Sequence, residues 1–333
     1  MMTYDQAVSA WSDERVIMRE CDEHSARKAA QKAKSLSPWI GHVEVSELTT
    51  QQVKSAIMEL AKTPTRRNKP RSMSTVRKAH LHGRQACEWA VENGYAEENA
   101  FAKVKRPKAE KHDAKFLTLD EFTAITALAK TESVSLLEAG MVSRSSFALA
   151  VALAASTGAR RGELFALEWT DIDFGDGRVS ITKAVKDGGQ IGRPKTSSGI
   201  RSVAIGGGMV ELLTEIRDKR VSCDVSSRFV LCDEAGGIAN LNSFEHWWRR
   251  WADRNGWQGL RFHELRHSHA TNMIASGVDL KTVQTRLGHS TADITLNVYA
   301  HAVPATDAKA AKLLDAVLFE KGNDDEGDRQ VHG

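Results

Sequence analysis

Residues 103–115, KVKRPKAEKHDAK, are charged at most positions, carry Pro107 and show no apolar period. Such a stretch has nothing to bury and interrupts helical continuation, so it reads as a linker. It constrains the fold more than any other feature, because it excludes one continuous core. The chain must build one body before it and another after it, and 333 residues supply enough length for both. The expected organisation is a helical domain over 1–102, the linker 103–115, a larger domain over 116–304, and a C-terminal helix with an acidic tail over 305–333.

Composition serves mainly to exclude. Hydrophobic content of 41% and charged content of 27% are those of an ordinary globular protein. No apolar run approaches the ~18 residues that span a bilayer. Asp5, Asp13 and Glu14 near the start, with no basic segment leading into an apolar run, do not fit a secretory signal. Cys21, Cys87, Cys223 and Cys232 are scattered, match no zinc spacing, and read as reduced thiols in a cytoplasmic protein.

The net charge of +3 names no partner, but its distribution is uneven. No Asp or Glu lies between Leu60 and Glu88, where Lys62, Arg66, Arg67, Lys69, Arg71, Arg77, Lys78 and Arg84 occur. Lys103, Lys105, Arg106, Lys108 and Lys111 follow in the linker. Two readings stand side by side: a nucleic-acid surface, or a solvated loop with helix-end charges.

Taken in order, residues 3–35 read as helical up to a break near Ser35–Pro38. Thr49 or Thr50 caps a helix to about Ala61, and Ser74 caps another over 75–93, closed at Asn93-Gly94. Past the linker, Thr118 to Glu121 form a capping box opening a helix to about Lys130. Residues 145–156, SSFALAVALAAS, are apolar nearly all round and read as a buried helix ended by Gly158. Arg160–Leu167 reads as a short helix, and 177–182 with 200–205 as a β-hairpin around the loop 183–199. Met209–Arg220 and Leu241–Asn255 read as helices, and Arg228–Leu231 as a short strand. Phe244, Trp247, Trp248 and Trp251 are assigned to the core. The fold class is therefore mainly α with a small antiparallel β-sheet.

The chemistry concentrates in 261–301, which holds His263, His267, His269, His289, His301 and Tyr299. His263-Glu264-Leu265-Arg266-His267 matches the zinc-peptidase pattern H-E-x-x-H, but Arg266 beside a divalent cation makes no sense. The alternative pairs His263 with Arg266, three apart on one helix face. A guanidinium there forks onto two phosphate oxygens, and the histidine hydrogen-bonds or moves a proton. Two further groups stand out. In 157–173, Arg160 opens a short helix with Glu163 one turn on to buttress it. In 192–205, Lys195 stands at a hairpin tip, where a lysine can protonate a leaving group. Each of these also has a plain reading, as an ion-paired surface arginine and a turn lysine.

Together with His289 and Tyr299, these groups resemble the tyrosine recombinase (phage integrase) family, whose pattern is an arginine box, a hairpin lysine, H-x-x-R, a later His or Trp, and a tyrosine. The likeness runs over roughly 115–301, and 1–110 resembles the family's α-helical core-binding domain more weakly. The resemblance implies a tyrosine-recombinase catalytic domain with Arg160, Lys195, His263, Arg266, His289 and Tyr299 as catalytic residues and Glu163 in support. Tyr299 would attack the scissile phosphate to form a 3′-phosphotyrosyl link, Arg160 and Arg266 would hold the non-bridging oxygens, and Lys195 would protonate the departing 5′-oxygen. It implies a site-specific DNA recombinase that needs no cofactor or metal. Its partners would be double-stranded DNA, three further copies of the chain, and accessory bending or directionality proteins. Arg66, Arg67, Lys69, Arg71, Arg77, Lys78, Arg84, Lys105 and Arg106 are then the expected DNA contacts. The alternatives are a Xer-like resolvase of replicon dimers and a non-catalytic DNA-binding regulator.

This sequence departs from the family at the hairpin, with Gly199 where members often have Ser and Ala204 where they often have Pro. Lys183 and Lys186 rival Lys195. The helical domain begins almost at Met1, so the expectation is binding to core sites alone or a shortened form. The stretch 306–318 reads as an amphipathic helix whose Leu313, Leu314, Val317 and Leu318 need a cover.

Overall fold

The computed structural model describes residues 1–65, 68–108, 115–186, 189–194 and 196–288, with Leu314, Asp315 and Leu318. The chain divides into two units, Met1–Asp113 and Ala114–Gly333. No helix among the described residues is long and apolar enough to cross a membrane.

In the first unit, capping decides where helices begin. The Thr3 and Thr49 side chains each accept from the backbone N–H three residues on, while Gln6 and Gln52 reach back to the cap. These boxes open α1 (Tyr4–Ile17) and α4 (Thr50–Lys62), with α2 (Glu23–Ala33) and α3 (Ser37–Ile40) between them. The helical stretch expected over 3–35 is two helices, split where Arg19 takes a positive φ of 57°. The next helix, α5 (Met73–Glu92), is capped by Ser72 rather than Ser74. Its buried stripe includes Val76, Ala79, His80, Ala86 and Ala90, which pack with Tyr4, Val8, Leu36, Val53 and Phe101.

The second unit is organised on α7. After α6 (Leu119–Glu138), which runs two turns beyond the expected end, α7 (Val142–Thr157) is buried along almost its whole length. Residues 147–154 are all within the core because neighbours cover every face. A short α8 (Arg161–Leu164) follows, with Arg160 as its N-cap. Strands β1 (Ile172–Asp173) and β2 (Arg178–Ile181) come next, and β3 (Ala184–Val185) and β4 (Ile191–Gly192) make a small ladder of their own inside the expected loop. β5 (Arg201–Ala204) closes the main sheet, order β1-β2-β5, all antiparallel, with Val179 opposite Val203.

Helices α9 (Gly207–Ser222), α10 (Leu241–Arg254), α11 (Phe262–Ala275) and α12 (Leu280–Leu287) complete the unit. Arg228–Leu231 is not a strand: Phe229 makes an isolated bridge with Glu168. Phe244, Trp248 and Trp251 of α10 are core residues, as their spacing indicates. Two indole N–H groups are satisfied, Trp248 on Leu260 O (3.0 Å) and Trp251 on Glu132 Oε2 (2.6 Å). Burying such rings contributes roughly 1.5–3 kcal/mol each.

Candidate active site

Two helix ends and the interior of α11 meet here. Gly158 ends α7 in the left-handed conformation (φ 66°), and Gly288 ends α12 the same way (φ 65°). Glycine takes this conformation without the Cβ clash that other residues pay. Space also demands it. A Cβ on Gly158 would stand 2.6 Å from Leu287 Cδ2, and one on Gly288 would stand 2.5 Å from Ser198 O.

These turns aim carbonyls at the arginine of α11. Arg266, 4% exposed, donates from Nη1 to Gly158 O and from Nη2 to Leu287 O, both at 2.6 Å. Arg160 donates from Nη1 to Glu163 Oε1 (2.7 Å) and from Nη2 to Gly288 O (3.1 Å). Glu163 is the buried anion behind them, 2% exposed. Its other oxygen accepts from Arg160 N and from Arg201 Nη2, both at 2.9 Å. Burial alone would raise the Glu163 carboxyl pKa, but the bond and charge of Arg201, then the bonds from Arg160, hold it below its ordinary value. Arg266 is pushed down to about 9 by burial first and then by the like charge of Arg160, so it stays a cation at neutral pH.

Arg160, Arg161, His263, Arg266 and Glu245 line a cleft of about 320 Å³, floored by Ala159, Gly162 and Phe262. His263 is exposed at the edge of the cleft. Its pKa is pushed down to about 4, by desolvation first and then by His267, Arg266 and Arg160. His263 is thus neutral at pH 7, with its ring edge-on to His267 at 5.0 Å between centroids. A guanidinium has five N–H groups, and the bonds above use two on each of Arg160 and Arg266. Others remain to grip an anion, in a setting where both cations are already in place and need not reorganise.

Four of the expected site residues, Arg160, Glu163, His263 and Arg266, therefore come together. Lys195, His289 and Tyr299 lie outside the described residues. Lys183 is committed elsewhere, bridging Glu168 Oε2 and Asp171 Oδ2 at 3.1 Å each, and desolvation is outweighed by those two partners, which raise its pKa. The carboxylate of the H-E-x-x-H pattern, Glu264, is fully buried and accepts from Arg261 N (2.7 Å), the Arg261 guanidinium and Lys115 N (3.2 Å). It caps α11 from inside.

Sequence reading named His269 without a role and gave none to Arg201 or Arg286. Arg201 is the second cation on Glu163, and it also donates to Arg286 O (2.6 Å) and Gly199 O (2.9 Å), joining the hairpin to the Gly288 turn. Arg286 donates to Ser156 O and Ala204 O, both at 2.8 Å. An arginine opening a half-buried strand, as at 201, was the available signal.

Of the expected DNA contacts in the first unit, Lys69, Lys78, Arg84, Lys105 and Arg106 are exposed, and Arg71 and Arg77 are half-buried. Arg66 and Arg67 lie outside the described residues.

Residues 115–305 match the model of the Phage integrase family. The chain is 31% identical over 189 residues to a protein named tyrosine recombinase XerC-like from Caldanaerobacter subterraneus subsp. tengcongensis, covering 50% of this chain and 48% of that one. It is 26% identical over 238 residues to the ICEBs1 integrase of Bacillus subtilis, covering 69% and 62%. The chain thus spans from about half to under two thirds of these relatives' length. Among solved structures, the Tn1549 transposon integrase in complex with transposon right end DNA aligns with TM-score 0.73 at 17% identity, covering 94% of this chain and 99% of that one. A lambda integrase dimer bound to a core site aligns with TM-score 0.61 at 18% identity, covering 87% and 94%. At those identities the likeness is one of fold.

Proposed function

The chain belongs to the phage integrase family, and from that premise we propose that it is a tyrosine-type site-specific DNA recombinase. The observation that carries this reading is the pair of preset guanidiniums, Arg160 and Arg266, on one cleft with neutral His263 at its rim. Two fixed cations suit a phosphodiester whose non-bridging oxygens gain charge in the transition state.

In this scheme the Tyr299 oxygen attacks the scissile phosphorus, and the bond to the 5′-oxygen breaks. A phenol has pKa ~10, so its proton must be taken as it attacks. His263 and His289 assist by hydrogen bonding and proton transfer. Lys195 gives a proton to the departing 5′-oxygen. The 3′-phosphotyrosyl bond keeps the phosphodiester's energy, so strand joining is the reverse attack and no nucleotide or metal is consumed. Glu163 stabilises the arginines from behind. The exposed basic residues of the first unit contact the DNA backbone and supply salt-dependent affinity. The working form is four copies on two duplexes, in the cytoplasm with the DNA. For lambda integrase, a solved structure is a tetramer bound to a Holliday junction. Accessory bending or directionality proteins fit the same scheme.

Several relatives are named tyrosine recombinase XerC, including those of Haemophilus ducreyi and Chromobacterium violaceum. Resolution of replicon dimers is therefore the second reading, with the same chemistry on a different substrate. The decisive experiment incubates the protein with candidate attachment-site DNA, denatures it, and looks for a covalent adduct mapped to Tyr299. Tyr299→Phe should bind DNA and form no adduct. An adduct on another residue would overturn the assignment, and none from the wild-type chain on any cognate site would favour a DNA-binding regulator.

A further inference from the structure

The two consecutive arginines at the start of α8 are held in opposite ways. Arg160 leans on Glu163, a carboxylate that is 2% exposed and shared with Arg201. Arg161 instead pairs with Glu245 of α10, and both partners stay open to solvent, at 32% and 42% side-chain exposure. Both also line the cleft that holds Arg160, His263 and Arg266. A carboxylate on the wall of a cleft built from three guanidiniums works against an incoming anion. Its position beside Arg161 gives it a different use.

We propose that Arg161 is a further phosphate-binding residue of this cleft and that Glu245 is its stand-in anion, displaced when a DNA phosphate enters. The inference rests on the DNA-binding reading above. In the free chain Glu245 neutralises one guanidinium of a crowded cationic site. Solvent-exposed ion pairs are weak, so this one opens readily, whereas the buried Glu163 arrangement stays intact. An incoming phosphate offers Arg161 a fork of two oxygens in exchange for the carboxylate. Glu245 then faces solvent at the rim and opposes any anion that does not engage Arg161. The pair thereby raises the threshold for occupying the cleft.

The test is binding of the full chain to a mixed-sequence duplex, measured across salt concentration for wild type, E245Q, R161A and R161Q. Both side chains are half-buried, so thermal unfolding checks that each variant is folded. Removing the stand-in should tighten binding of E245Q by about 2- to 5-fold. Losing one phosphate contact should lower the slope of log affinity against log salt by about 0.9 in both Arg161 variants. Between roughly 50 and 200 mM salt, that is about a 3-fold smaller loss of affinity than for wild type. If the pair only ties α8 to α10, E245Q binds no tighter, and that result overturns the proposal. Wild-type slopes in folded R161A and R161Q overturn it equally. A wild-type chain without salt-dependent DNA binding would instead sink the recombinase reading itself.

Discussion

His269 can hold one ring proton in the place it occupies, and not two. Its Nδ1 lies 2.7 Å from Ala155 O, which can only accept, and its Nε2 lies 3.2 Å from Arg286 Nε, which can only donate. A second proton would set N–H against N–H. Burial pushes its pKa down to about 4, the Ala155 bond opposes that, and Arg286 and Arg266 add to it. In the unfolded chain a histidine titrates near ~6.5. Between those values the unfolded chain binds the extra proton and the folded one does not. The contribution is complete above about pH 6.5 and is lost progressively as pH falls toward 4, on the order of 3 kcal/mol in all. Thermal unfolding across that window should show the loss in wild type and a flatter profile in His269→Gln. Equal slopes would refute it. A second residue-scale prediction concerns Lys195. Lys195→Ala should slow cleavage strongly on ordinary DNA, by roughly 10²-fold or more, and far less when sulfur replaces the leaving 5′-oxygen, because a thiolate departs without a proton. Equal losses on both substrates would show that the lysine only grips phosphate.

At the scale of elements, the end of α7 is the joint most exposed to damage. Gly158→Ala forces a left-handed alanine and drives its Cβ toward Leu287 Cδ2 at 2.6 Å and His269 Cδ2 at 2.7 Å. Strain and overpacking together should cost roughly 2–4 kcal/mol. Adduct formation should fall further than that loss explains, because Gly158 O and Leu287 O are the two acceptors of Arg266. A variant that keeps wild-type cleavage while folded would separate the turn from the site. The buried α7, the α10 aromatics and the main hairpin were legible in the sequence because burial and alternation leave periodic marks. The β3–β4 ladder and the bridge at Phe229 were not, since two-residue pairings carry no period. Ser72 and Ser74 are both good caps by type, so residue type alone did not choose between them.

Over the whole molecule, legibility divides by distance along the chain. Arg160 with Glu163, and His263 with Arg266, could be read as local pairs because three residues make one helical turn. That Arg201 shares Glu163, and that Arg286 binds Ser156 and Ala204, could not, because those partners lie 38, 130 and 82 residues away. The C-terminal stretch sets a prediction at the same scale. Leu314 and Leu318, four apart, are 58% and 66% exposed, and the other members of that expected apolar face, Leu313 and Val317, lie outside the described residues. We expect this face to dock on a neighbouring copy. Truncation after Pro304 should then abolish cooperative DNA binding and synapsis while leaving the binding of a single copy within about 2- to 3-fold. Unchanged cooperativity in the truncated chain would rule the docking out.

The bonds that place Arg266 and Arg160 also set a schedule. Arg266 reaches back 108 residues to Gly158, and Arg160 reaches forward 128 residues to Gly288. A ribosome adding roughly 5–20 residues each second needs several seconds to cross either gap. Throughout that interval the nascent chain has one half of its phosphate grip and no means of completing it. The chain is therefore born without its paired-arginine cleft, which is complete only when the last third of the second unit has been made.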